Sequence, residues 1–149
     1  MITVRRATRE DIGDLTDLFN LYRTWYRQPA DIAAARKFLL ERIDRDESVI
    51  FCAFEGDKMA GFTQLYPIFS SVRLLPAWLL NDLYVAAAHR QKGMAKKLLD
   101  AAAAHGREMG AAWLLLQTGN DNYTAQAVYE KNGWKRVSDY FYELPLAEP

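Results

Sequence analysis

The chain has 149 residues, half of them apolar, with nineteen Lys plus Arg set against nineteen Asp plus Glu, which suits one globular domain spanning 1–149 with a real core. Zero net charge gives no global field to recruit nucleic acid or an anionic membrane, and no apolar run approaches the ~20 residues of a membrane span. A single cysteine, Cys52, excludes an internal disulfide, and without an apolar N-terminal stretch of signal-peptide length the expected compartment is the cytoplasm.

Residues 2–6 alternate apolar and polar side chains as an edge strand does. Thr8 with Asp11 forms a capping pair that predicts a helix, on which Ile12, Leu15, Phe19, Tyr22 and Tyr26 recur on one face until Pro29 closes the segment. Tyr22 reads as core packing. A second helix over 31–45 turns Ile32, Ala35, Phe38, Leu39 and Ile43 inward. Strands over 48–54 and 59–69 flank Glu55-Gly56-Asp57-Lys58, which has hairpin chemistry. Cys52 lies inside the first of them with no histidine beside it in sequence, so it reads as a structural thiol rather than a nucleophile.

The stretch from Leu79 to Arg107 organises the rest. Residues 79–85 read as a strand. From Ala95 the apolar positions Leu98, Leu99, Ala102 and Met109 fall at helical spacing, and Gly110 stops the helix. Between them lies Arg90-Gln91-Lys92-Gly93-Met94-Ala95, so a glycine and two cations sit where the first helical N–H groups lack an internal partner and an anion is favoured. Neither GxxxxGK[ST] nor GxGxxG occurs, which removes the main support for nucleotide hydrolysis and for a dinucleotide site. A further strand over 113–118 lies parallel to 79–85, because a helical crossover joins them. A short helix over 122–132 ends at Gly133, and 134–137 with 140–146 read as a terminal antiparallel pair. His89 and His105 read as structural or solvent-facing, and no metal is expected.

Arg90-x-x-Gly93-x-Ala95 after Asn81-Asp82-Leu83-Tyr84-Val85, followed by Asn122-x-x-Ala125-x-x-x-Tyr129-x-x-x-Gly133-Trp134, resembles the GNAT superfamily of N-acetyltransferases over nearly the whole chain. Within it the chain looks most like the small amine enzymes, namely the spermidine/spermine and the yeast histone and polyamine acetyltransferases. Where the spermidine/spermine enzymes carry a glutamate just before the acidic strand position, this chain has Asn81. The resemblance implies an α/β (α+β) fold with a mixed, mostly antiparallel sheet of about seven strands, helices on both faces and a splayed central parallel pair.

It also implies that Arg90, Gln91, Lys92, Gly93, Met94 and Ala95 hold the pyrophosphate of acetyl-CoA, and that the pantetheine arm lies along Leu83, Tyr84 and Val85. Asn122 matches an asparagine that contacts the CoA arm, although it suits a helix N-cap equally well. Tyr129 matches the general acid: a phenol of pKa ~10 can protonate a departing thiolate of pKa ~8.5 without being ionised beforehand. Asp82, with Asn81 beside it, aligns with a carboxylate that holds the substrate ammonium and accepts its proton. Trp25 and Tyr26 fall in the variable substrate lid. The implied activity is direct acetyl transfer, in a ternary complex, to a primary amine of a small molecule or peptide by a homodimer. The rivals are a CoA-binding sensor with the same fold and no turnover, and a hydrolase using Cys52.

Overall fold

The computed structural model describes residues 1–148 and comprises two compact units, one ending at Gln117 and one beginning at Thr118. The first holds a five-stranded sheet in the order β1-β2-β3-β4-β5. Strands β1 (Ile2–Arg6), β2 (Val49–Glu55), β3 (Lys58–Ser70) and β4 (Leu75–Val85) pair antiparallel in succession. β5 (Leu114–Leu115) joins β4 in parallel at Trp78↔Leu114 and Leu79↔Leu115 only. The remainder of β4, from Leu80 to Val85, therefore runs on without a partner in β5, which agrees with a parallel pair that diverges.

Helices cover both faces of this sheet. Helix α1 (Ile12–Trp25) follows a short 3₁₀ turn in which the Asp11 carboxylate accepts the Thr8 N–H at 2.8 Å, the expected cap. With α2 (Ile32–Asp44) it buries Leu15, Phe19 and Leu39 against Cys52 and Phe62. On the opposite face α3 (Met94–Glu108) packs Met94 and Leu98 against Ala53 and Ala60. Gly61 makes that approach possible: a Cβ there would stand 3.0 Å from both Met94 Sδ and the Tyr84 carbonyl oxygen. The start of α3 is thus pinned to the sheet.

Several expectations need correction. The sheet has five strands among the described residues, not about seven, because 113–118 shrinks to two paired positions and neither 134–137 nor 140–146 is strand. The strand expected over 79–85 already begins at Leu75, and Ser70 pairs with Leu75 across a tight turn. Helix α3 begins at Met94 rather than Ala95. Ile32 and Phe38, expected to face inward, are exposed: Ile32 is the first residue of α2, and Phe38 stacks on Phe19, ring centroids 5.9 Å apart, with one side left open to solvent.

The register of β3 and β4 contains the feature that shapes the site. Gln64 pairs with Asp82 while Leu65 pairs with Leu80, so Asn81 is an extra residue on β4. A bulge of this kind shifts the alternation of side chains by one. Leu80 accordingly shares a face with Leu65, whereas Asp82 and Tyr84 join Gln64 and Phe62 on the face covered by α1 and α2.

The second unit contains α4 (Tyr123–Lys131). Asn122 caps it, its Oδ1 accepting the Ala125 N–H at 3.2 Å, and Gly133 follows with φ +89°, the left-handed residue expected after a helix.

Candidate active site

The Asp82 carboxylate is the chemical centre of the first unit. It is 3% exposed, and burial raises its pKa above the ordinary carboxylate value while hydrogen bonds from Gln64 and Asn81, and the polar Tyr22 hydroxyl nearby, oppose that rise. Gln64 Nε2 donates to Oδ2 at 2.5 Å and Asn81 Nδ2 to Oδ1 at 3.0 Å. All of these partners are neutral, and Asp82 has no cationic partner among the described residues. Burying an ionised carboxylate without a cation costs several kcal/mol, so such a group usually marks a place where something else supplies the charge.

That place is a cleft of about 330 Å³ between α1, α2 and the β3–β4 hairpin, lined by Asp82 and Asn81 at its base and by Ala34 and Ala35 from α2. Four aromatic rings, Phe19, Tyr22, Phe38 and Tyr66, complete the wall with Arg23. Tyr22 joins wall and floor. Its ring meets Phe62 edge-on at 5.7 Å and its hydroxyl donates to the Asn81 carbonyl at 3.3 Å. The reading of Tyr22 as core packing was therefore incomplete, because the residue both packs and lines the cleft. Beside the same carboxylate, burial pushes the Tyr66 phenol up to about 12. A buried base next to an aromatic wall can bind an ammonium and then take its proton.

The second feature is the turn from Arg90 into α3. Gly93 is the N-cap with φ +82°, it carries no capping side chain, and a Cβ built there meets nothing within 4 Å. Gln91 is also left-handed, at φ +62°. The space beside Gly93 is therefore open at the start of the helix, next to a cationic loop, which fits a phosphate-bearing group. The two cations are held more firmly than the sequence suggests. Arg90 Nε donates to the Val85 carbonyl at 2.9 Å, and Lys92 Nζ to the Glu55 carboxylate at 3.0 Å, where His89 Nδ1 also bonds. Met94 is buried among core residues, so only its backbone faces the turn.

The sequence model of the acetyltransferase (GNAT) family matches residues 15–134. This chain is a GNAT acetyltransferase. It is 41% identical to the uncharacterised N-acetyltransferase YhfO of Bacillus subtilis (strain 168), over 93% of each chain. The solved structure of a probable acetyltransferase superimposes with a TM-score of 0.95 at 38% identity, covering 99% of both chains. At 20% identity, the structure of AAC(6')-Iy in complex with the bisubstrate analogue CoA-S-monomethyl-acetylneamine shares the fold alone, with a TM-score of 0.82 over 99% of each chain. None of these relatives is named for a polyamine or a histone, and the closer likeness to those enzymes is not supported.

The other residues expected at the site of this acetyltransferase are spread over both units. Leu83 and Val85 pack towards α3, while Tyr84 lies on the opposite face beside Phe62. Trp25 and Tyr26, at the end of α1, are exposed and continue from Tyr22 as an edge-to-face series, with centroids 5.0 Å apart for Tyr22–Tyr26 and 4.9 Å for Trp25–Tyr26. Neither lines the cleft. In the second unit, Tyr129 is half-buried with its ring 6.2 Å from that of Trp134, and the Asn122 Oδ1 is occupied by the helix cap. Cys52 is fully buried with its thiol pushed up to about 12 by burial, which makes it a poor nucleophile.

Nothing in the sequence marks Gln64, Tyr66 or Arg23 for the site, and Phe38 and Glu55 read there only as a core residue and a turn residue. Gln64 does stand out as a long amide inside an otherwise apolar strand, but its partner is 18 residues away and only the register brings them together.

Proposed function

We propose that this GNAT acetyltransferase moves an acetyl group from acetyl-CoA to a primary amine, of a small molecule or peptide, by direct transfer in a ternary complex. The observation that carries the reading is Asp82, a buried carboxylate with neutral partners only, at the base of an aromatic cleft. Acetyl-CoA supplies the acetyl group as an activated thioester. The turn of Arg90, Gln91, Lys92, Gly93, Met94 and Ala95 receives its phosphates through backbone N–H groups and the two cations, and the backbone of Leu83, Tyr84 and Val85 holds the pantetheine arm, helped by Asn122.

Asp82 holds the acceptor as an ammonium and takes its proton, directly or through one water, so that the neutral nitrogen can attack. As the C–N bond forms, a backbone N–H near Tyr84 or Val85 stabilises the charge developing on the carbonyl oxygen. As the C–S bond breaks, the Tyr129 hydroxyl gives its proton to the sulfur; the second proton of the acylated nitrogen passes through water to the Tyr129 phenolate, and Asp82 releases the first to solvent. Asn81 shapes the acceptor cleft, and Trp25 and Tyr26, which lie outside its lining, serve its entrance. Both compact units would serve one transferase domain, as a family match running from residue 15 to residue 134 supports. We further propose a cytoplasmic homodimer. No helix among the described residues is long and apolar enough to cross a membrane.

Thiol release from acetyl-CoA, screened over a broad panel of primary amines with the parent and Asp82→Asn, tests the reading. Amine-dependent release that falls at least 100-fold in the variant is expected, the usual worth of a general base being about 10²–10⁴. Tight acetyl-CoA binding with no release from any amine would identify a CoA sensor instead.

A further inference from the structure

The proposed acceptor cleft carries two charged side chains among the described residues, Asp82 and Arg23. Asp82 has only neutral partners. Arg23 is half-buried, and its Nη1 donates to a carbonyl, that of Pro29, at 3.3 Å. No carboxylate pairs with it among the described residues, and the two opposite charges do not form an ion pair with each other. The nearby Arg42, stacked 4.5 Å from the Phe38 ring, differs because Glu41 and Glu47 neutralise it. A cleft that holds one anion and one cation without an ion pair between them, among aromatic rings, is complementary to a ligand bearing the reverse pair.

Resting on the acetyltransferase reading of this cleft, we propose that the acceptor is an amino carboxylate with an apolar side chain, of amino-acid type, its ammonium at Asp82 and its carboxylate on Arg23. The planar guanidinium offers a carboxylate two parallel hydrogen bonds. Phe19, Tyr22, Phe38 and Tyr66 cover the apolar body. A polycation is disfavoured by the same arrangement, since a second ammonium would meet Arg23.

The test compares matched acceptors differing by one carboxylate, phenylalanine against phenethylamine and leucine against isoamylamine, with spermidine as the polycation. Because an α-amino group ionises at lower pH than an alkylamine, the quantity read is the ratio of kcat/KM within each pair, compared between the parent and Arg23→Ala. A charge-assisted hydrogen bond is typically worth about 1.5–3 kcal/mol, so the ratio should fall by about tenfold or more in Arg23→Ala. Arg23→Lys, which keeps the charge, should recover part of it, and Arg23→Glu should raise the relative rate with spermidine. A ratio unchanged within about twofold, or a parent that prefers spermidine, would overturn the proposal. Calorimetric binding of the same acceptors in the presence of CoA gives a second readout. If no amine releases thiol, the transferase reading fails, while carboxylate-dependent binding lost in Arg23→Ala would still support this charge pairing and its absence would refute it.

Discussion

Asp82 is retained at a cost to the fold. Burial raises its pKa, so the folded chain holds this proton to higher pH than the unfolded chain, whose aspartate titrates near ~3.9. The contribution to stability is complete below that value and declines as pH rises through the raised folded value. Asp82→Asn removes the penalty, and the buried Gln64 Oε1, which has no hydrogen-bond partner among the described residues, can turn to accept from the new amide. A melting temperature at neutral pH equal to or above that of the parent is therefore expected, alongside the loss of turnover; a drop of more than about 4 °C, roughly 1 kcal/mol for a chain of this size, would show that the carboxylate is structural. Cys52 gives a second check. Buried and with a thiol raised to about 12, it should resist iodoacetamide at pH ~8 in the native protein and react fully in denaturant. Rapid native alkylation with loss of activity would revive the hydrolase rival. At this scale the sequence showed Asp82 and Asn81 as neighbours but not Gln64, Tyr22, Tyr66 or Arg23, which reach the cleft through cross-strand pairing and helix packing that no local pattern encodes.

Elements were easier to read than residues. Helix faces and hairpins repeat every few positions, so α1, α3 and the β2–β3 hairpin follow from periodicity and from Gly56. The bulge at Asn81 has no such signature. It depends on β3 and β4 settling into a register with one residue to spare, and it sends Asp82 to the α1–α2 face. The start of α3 was legible because the apolar period changes on either side of Gly93, and a glycine at such a change permits the left-handed backbone of a tight turn. Its φ of +82° and the open space around it set the expectation for Gly93→Val. A branched residue there is strained and also projects into the space a phosphate needs, so acetyl-CoA affinity measured by calorimetry should weaken more than tenfold. Gly93→Ala, which carries the backbone strain with less bulk, should fall between. Unchanged affinity in a folded Gly93→Val protein would refute the assignment of the turn.

At the largest scale, the expected mixed sheet with helices on both faces is present with five strands among the described residues rather than about seven. The shortfall lies where alternation is frequent in the sequence but pairing is absent from the structure. Residues 134–148 form no strand, and Tyr140 (87%), Tyr142 (95%) and Leu146 (92%) are exposed. Apolar surface of this kind commonly marks an interface. Light scattering at micromolar concentration is expected to give twice the monomer mass, with dissociation when Tyr140 and Tyr142 are changed to serine. A monomer in the parent would contradict the homodimer.

Direct transfer from acetyl-CoA to an amine held at Asp82, with Tyr129 protonating the leaving thiolate, leaves no stage at which the protein itself carries the acetyl group. Rapid-quench mixing of the enzyme with acetyl-CoA alone, followed by addition of an acceptor amine and intact-mass analysis of both protein and amine, addresses this directly. Direct transfer predicts no acetyl group on the protein at any time, no thiol before the amine arrives, and one acetylated amine for each thiol released. Tyr129→Phe should slow that single turnover by about 10²–10⁴-fold with acetyl-CoA affinity nearly unchanged. A burst of thiol with acetyl retained on the protein before any amine is added, or a Tyr129→Phe single-turnover rate within about threefold of the parent, would contradict it.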